Sequence, residues 1–150
     1  MSVTSLILLG QYEESGKVFS DALKPNYEVV HFSTSPTAAL ADILTVLKGS
    51  IPTSATSSTQ VGTGNLSHGA PKAIIIAASL YDDAWIAAAR AEVAAAGKHV
   101  VFLKPDASSD HAGKGTADKT KVAAEHAVKV LRKLEGEGKL DGDDDGVYVY

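Results

Sequence analysis

Four short runs of mostly apolar residues, each too short for a helix and each separated from the next by a long polar or amphipathic stretch, constrain this chain most. Ser5-Leu-Ile-Leu-Leu9, Ala73-Ile-Ile-Ile-Ala-Ala78 and His99-Val-Val-Phe-Leu103 are nearly continuous in hydrophobicity, and Tyr27-Glu-Val-Val-His-Phe32 is rich in β-branched and aromatic residues. Such runs read as strands covered on both faces rather than as half-exposed alternating ones. Between them the apolar residues recur at helical spacing. Glu13 to Leu23 places Val18, Phe19, Ala22 and Leu23 on one face before Pro25-Asn26 stops it, and Pro36 to Leu47 offers Leu40, Ile43, Leu44 and Leu47 with Gly49 just beyond. A third helix, capped by Asp82 or Asp83, carries Trp85, Ile86, Ala89 and Val93 and ends at Gly97. The last is expected over residues 117–134. It would bury Ala123, Ala127, Val130, Leu131 and Leu134 and turn Lys119, Lys121, Lys129, Arg132 and Lys133 to solvent.

Strands alternating with helices imply right-handed crossovers and a parallel sheet covered on both sides. The expected fold is therefore α/β: a three-layer Rossmann-like or flavodoxin-like sandwich with a mostly parallel sheet of four to five strands in the order 2-1-3-4. Val147-Tyr-Val-Tyr150 would add the fifth strand at an edge. At 150 residues the chain fits one such domain. Residues 50–70 break the rhythm, being rich in Ser, Thr and Gly, and read as a flexible loop, either a flap over a site or an irregular hairpin. The segment 136–150 is acidic, with Asp141, Asp143, Asp144 and Asp145.

Composition narrows the chemistry. No cysteine is present, which removes disulfides, thiolate nucleophiles, iron–sulfur clusters and cysteine-ligated zinc. No HExxH or His-x-Glu pattern suggests a metal, and no G-x-S-x-G elbow suggests a serine nucleophile. The net charge of −4 disfavours nucleic acid, although nine of the fourteen basic residues lie between Lys98 and Lys139. With neither a signal peptide nor an apolar run of the ~18 residues that span a bilayer, the expectation is a soluble, cytoplasmic protein without membrane or nucleic-acid partners.

Open α/β sheets bind ligands beyond the carboxyl ends of their strands, above all where the strand order reverses. Segments 10–16, 33–36, 79–83 and 104–116 meet there in the expected topology. Gly10 follows the first strand and Gly16 falls in the first helix, a spacing that suits a tight turn and a phosphate at a helix N-terminus. Gly10, Gln11, Gly16, Ser33, Thr34, Ser79 and Lys104 are the candidate cofactor-binding residues. Tyr81, Asp82 and His111 are candidates for proton transfer on a small polar metabolite; a helix cap at Asp82 or Asp83 is the cheaper account of the aspartates. Gly113-Lys114-Gly115-Thr116 ends like a phosphate loop but lacks the upstream glycine, which excludes a nucleoside-triphosphatase loop. Ser79, where a receiver domain needs its aspartate, excludes that reading too.

Several of these features together resemble the N-terminal half of the NmrA-like atypical short-chain dehydrogenases, which bind NAD(P). They are Ser5-Leu-Ile-Leu-Leu-Gly10, Gly16, Asp42-Ile43 leading to Leu47-Lys48-Gly49, the strand from Ala73, and Ile86-Ala-Ala-Ala-Arg-Ala with Gly97-Lys98-His99-Val100. The resemblance covers residues 3–103 and implies a degenerate or truncated relative. In that family a GxxGxxG turn holds the pyrophosphate; here Gly10 and Gly16 match its first and third positions and Glu13 replaces the second. Ser33-Thr34-Ser35 stand where the family reads the adenosine ribose, and the Tyr-x-x-x-Lys pair of its catalytic members is absent. The leading expectation is a nucleotide- or metabolite-binding protein, NAD(P) being the implied cofactor. Its rival is a non-catalytic homo-oligomeric scaffold, a homodimer packed through the alanine-rich third helix.

Overall fold

The computed structural model describes residues 4–10, 13–23, 27–33, 36–49, 71–77, 81–97, 99–104, 117–138 and 146–150. The loop expected over 50–70 lies outside them. Five strands, β1 (Thr4–Leu9), β2 (Tyr27–Ser33), β3 (Ala73–Ile76), β4 (Val101–Lys104) and β5 (Val147–Val149), form one sheet in the order β2-β1-β3-β4-β5. Every neighbouring pair is parallel. This is the flavodoxin-like order of a doubly wound, Rossmann-like α/β sandwich. The apolar runs are strands because both of their faces are covered: Leu6 to Leu9 and Ile74 to Ile76 have no exposed surface at all.

Among the described residues four helices cover the sheet, two on each face. On one side α1 (Glu13–Leu23) and α4 (Ala117–Gly136) lay Phe19, Leu23, Ala124, Ala127, Leu131 and Leu134 on Leu6, Leu8, Ile75 and Leu103. On the other, α2 (Pro36–Leu47) and α3 (Asp83–Ala95) lay Ala39, Ile43, Val46, Ile86, Ala89 and Val93 on Ile7, Leu9, Ile74, Ile76 and Phe102. The stripe of α2 is rotated from the expected one. Leu40 and Leu44 are half-buried, whereas Ala39, Asp42, Ile43, Val46 and Leu47 face the sheet. On α4, Ala124 is buried and Val130 half-buried; the side chain of Ala123 lies outside the described ones. Gly49 and Gly97 adopt φ +93° and +76°, the left-handed conformation that ends α2 and α3.

The position of α4 departs from the expected crossovers. α2 and α3 both cross rightward along the strand order on one face, and α1 crosses leftward on the other, so all three share one hand. α4 also crosses rightward, from β4 to β5, but on the face of α1 and against it, which gives the opposite hand. A 98% preference for one hand is equivalent to about 2 kcal/mol. Burying a single leucine is worth ~1.5–3 kcal/mol. With α1 alone on its face, over β1 and β2, the residues of β3 and β4 on that side, Ala73, Ile75, Val101 and Leu103, would lose their cover; burying Leu131 and Leu134 with two alanines outweighs the handedness preference.

A bulge shapes the β2 edge. The β1–β2 register runs Leu6↔Val29 and then Ile7↔His31, so Val30 is an extra residue. Alternation alone would send His31 with Val29 toward α1 and Phe32 toward α2. With the bulge, Val30 packs on the α2 side, His31 reaches α2, and Phe32 turns to the α1 side.

Candidate functional site

The strand order reverses between β1 and β3, and the residues leaving the carboxyl ends of β1, β2, β3 and β4 define the candidate site. Gly10 leaves β1 with its N–H donating to the Ser33 carbonyl at 3.0 Å, which ties the ends of β1 and β2 together. A Cβ on Gly10 would stand 2.9 Å from the Phe32 ring, and one on Gly16 would stand 2.7 Å from it. The two glycines therefore bracket a fully buried phenylalanine. Their spacing, read as a phosphate turn, is accounted for by close helix–strand packing over the side chain that the bulge turns toward α1.

Tyr81 sits at the same edge from the α3 side. Its hydroxyl lies 3.1 Å from the Gly10 carbonyl and 3.2 Å from the Ser33 carbonyl and donates to them, and its ring meets Trp85 edge-on at 4.9 Å. Burial lifts this phenol well above its usual range, so it stays protonated as a donor. Asp82 is the N-cap of α3: its Oδ1 accepts the Trp85 N–H at 2.8 Å, and the side chain is exposed. Lys104 ends β4, and its Nζ reaches Asp83 Oδ1 at 2.9 Å; the carboxylate is 87% exposed. Gly10, Ser33, Tyr81, Asp82 and Lys104 thus share one edge of the sheet. Gln11, Thr34, Ser79 and His111 lie outside the described residues.

Two features of this region are less legible in the sequence. Tyr150, just past β5, sends its hydroxyl to the Ile76 carbonyl, packs edge-on against Phe19 at 6.2 Å and has its ionisation pushed up by burial. Tyr81 from one face and Tyr150 from the other therefore bind carbonyls on both sides of the switch point. The second is the pair of His31 Nε2 with Asp42 Oδ2 at 3.0 Å, each side chain 7% exposed. Asp42 falls three residues after Ala39 and four before Val46, so an acidic residue on the buried stripe of α2 was the available signal.

Among the described residues, no three His, Asp or Glu side chains are grouped to hold a metal ion, and no helix is long and apolar enough to cross a membrane. No protein-family model, curated protein or solved structure matches the chain significantly. The Rossmann-like α/β architecture stands on the chain's own geometry and is of the kind compatible with nucleotide or metabolite binding.

Proposed function

We propose that the protein binds a small anionic metabolite, a nucleotide or another phosphate- or carboxylate-bearing molecule, at the carboxyl edge beside the β1/β3 switch point. Lys104 is the observation that carries this reading. Its ammonium lies at the edge where doubly wound sheets take ligands, held by a mostly exposed carboxylate. Exposed ion pairs contribute roughly 0–1 kcal/mol, so an anion that brings further hydrogen bonds displaces Asp83 at little cost. In this reading Tyr81 positions the Gly10 and Ser33 carbonyls, and Asp82 holds the start of α3.

The finer version is an NAD(P)-related accessory protein of the NmrA-like kind, with Gly10, Gln11, Gly16, Ser33, Thr34, Ser79 and Lys104 around the cofactor. The glycines do not by themselves call for a nucleotide, because Phe32 accounts for both. For the same reason bulky replacements of Gly10 or Gly16 would disturb packing and could not test binding. Calorimetric titration with AMP, NADPH, NADH and inorganic phosphate is the appropriate experiment, using Lys104→Gln and Asp83→Asn as variants. The expected result is micromolar binding of at least one of these, weakened about tenfold in Lys104→Gln (1.4 kcal/mol) and preserved or strengthened in Asp83→Asn. Absence of binding by a cooperatively folded protein, or binding indifferent to Lys104, would overturn the reading.

A homodimer is the other reading, supported by the exposed Ala84, Ala87, Ala88 and Ala91 on α3. Sedimentation equilibrium decides it: a concentration-independent monomer mass removes it.

A further inference from the structure

Among the described residues, the opposite, amino edge of the sheet carries two buried polar atoms with no hydrogen-bond partner, Ser5 Oγ and Glu28 Oε1. They are not scattered. Ser5 and Glu28 are register partners on the parallel pair β1 and β2, whose backbones run about 4.8 Å apart. Ser5 alternates in phase with Ile7 and Leu9, and Glu28 with Val30, so both side chains lie on the face covered by α2. Ser5 is 1% exposed. α2 runs from the carboxyl to the amino edge and finishes at Leu47, the last residue before its left-handed terminator at Gly49. Its carboxyl end brings about half a negative charge to the same edge.

Glu28 is partly exposed, but its Oε1 is closed off from water; a carboxyl oxygen so enclosed is costly unless a donor or cation reaches it, and an orphaned hydroxyl adds a further penalty. The Glu28 oxygen is an acceptor, the Ser5 hydroxyl can accept as well as donate, and the helix end is negative. The carboxyl group and the helix end favour positive charge, the hydroxyl can add a ligand oxygen, and the site has a single carboxyl group. We infer that Ser5 and Glu28 form a binding site for a compact monovalent cation, an alkali ion or a primary ammonium group, between the amino ends of β1 and β2 and the carboxyl end of α2. A site with a single carboxyl group favours a monovalent ion over calcium, which takes about six to eight oxygen ligands. The site is independent of the ligand-binding edge.

Thermal unfolding of the 150-residue chain tests it, in potassium, sodium, methylammonium, magnesium and choline chlorides at equal ionic strength. Choline is too large for a gap between adjacent strands and reports screening alone. The expected result is a midpoint several degrees higher in at least one of potassium, sodium or methylammonium than in choline. It should rise with concentration as mass action requires, and the difference should vanish in Glu28→Gln and in Ser5→Ala. The alkali and methylammonium arms tell an inorganic ion from an amine. Identical midpoints in all the salts, or a cation effect that survives Glu28→Gln, would overturn the inference. So would a Ser5→Ala protein that is more stable with an unchanged salt response, since Ser5 would then be an idle hydroxyl. Broadening of the sodium-23 resonance by the wild-type protein and not by Glu28→Gln gives a second reading that does not depend on how stable either variant is.

Discussion

Phe32 is the residue on which the carboxyl edge is built. Its ring lies where Gly10 and Gly16 leave room for it, closer than any added Cβ could tolerate. Gly16→Ala should destabilise the fold by about 1–3 kcal/mol through overpacking, measured by urea denaturation. In the Phe32→Leu background the same change should cost much less, because the ring it strikes is gone; equal costs in both backgrounds would place the strain elsewhere. His31 is set by the same bulge. His31→Ala removes a buried hydrogen bond to a carboxyl group and should cost about 1.5–3 kcal/mol, while Phe32→Leu leaves that loss unchanged. A loss under about 0.5 kcal/mol would show that the pair is not formed in solution.

Among the elements, α4 was the one whose place the sequence least disclosed. Its boundaries and most of its stripe were legible, because alanines and leucines three and four apart are a local signal. The face it covers was not, since that depends on how many helices remain to cover each side of the sheet. The strands and the 2-1-3-4 order were legible for the opposite reason: continuous apolar runs joined by helices leave few topologies. The bulge at Val30 was hidden, for nothing in Val-Val-His-Phe marks an extra residue in a parallel pair. With it went the His31–Asp42 contact and the shared dependence of Gly10 and Gly16 on Phe32. Leu131 is buried completely beneath α4. Leu131→Ala should cost about 2–5 kcal/mol in chemical denaturation, against under 0.5 kcal/mol for the exposed Lys129→Ala on the same helix. Equal small effects would mean that α4 is not packed on the face of α1.

For the molecule as a whole, three tyrosines link stability to alkaline pH. Burial, with help from Glu135, whose carboxylate accepts the Tyr27 hydroxyl at 3.1 Å, pushes Tyr27 up to about 12 from 10.0, and burial raises Tyr81 and Tyr150 further. A raised folded value means that the unfolded chain loses these protons first. The stability contributed by the neutral phenols is complete below pH 10 and is lost as pH rises toward 12 and beyond. Urea midpoints should therefore fall steeply above pH 10, and Tyr27→Phe should fall less steeply between 10 and 12. A midpoint independent of pH across that range would contradict the buried, protonated state of these hydroxyls. The carboxyl edge that Tyr81 and Tyr150 brace is where the central claim lies, and backbone amide chemical-shift mapping during an AMP titration tests it most directly. The account predicts saturable shifts at Gly10, Ala77, Leu103 and Lys104, with Ser5 and Glu28 unmoved. Shifts confined to the amino edge or to the exposed face of α3, or no shifts at millimolar AMP and NADPH alike, would contradict a ligand site at the β1/β3 switch point.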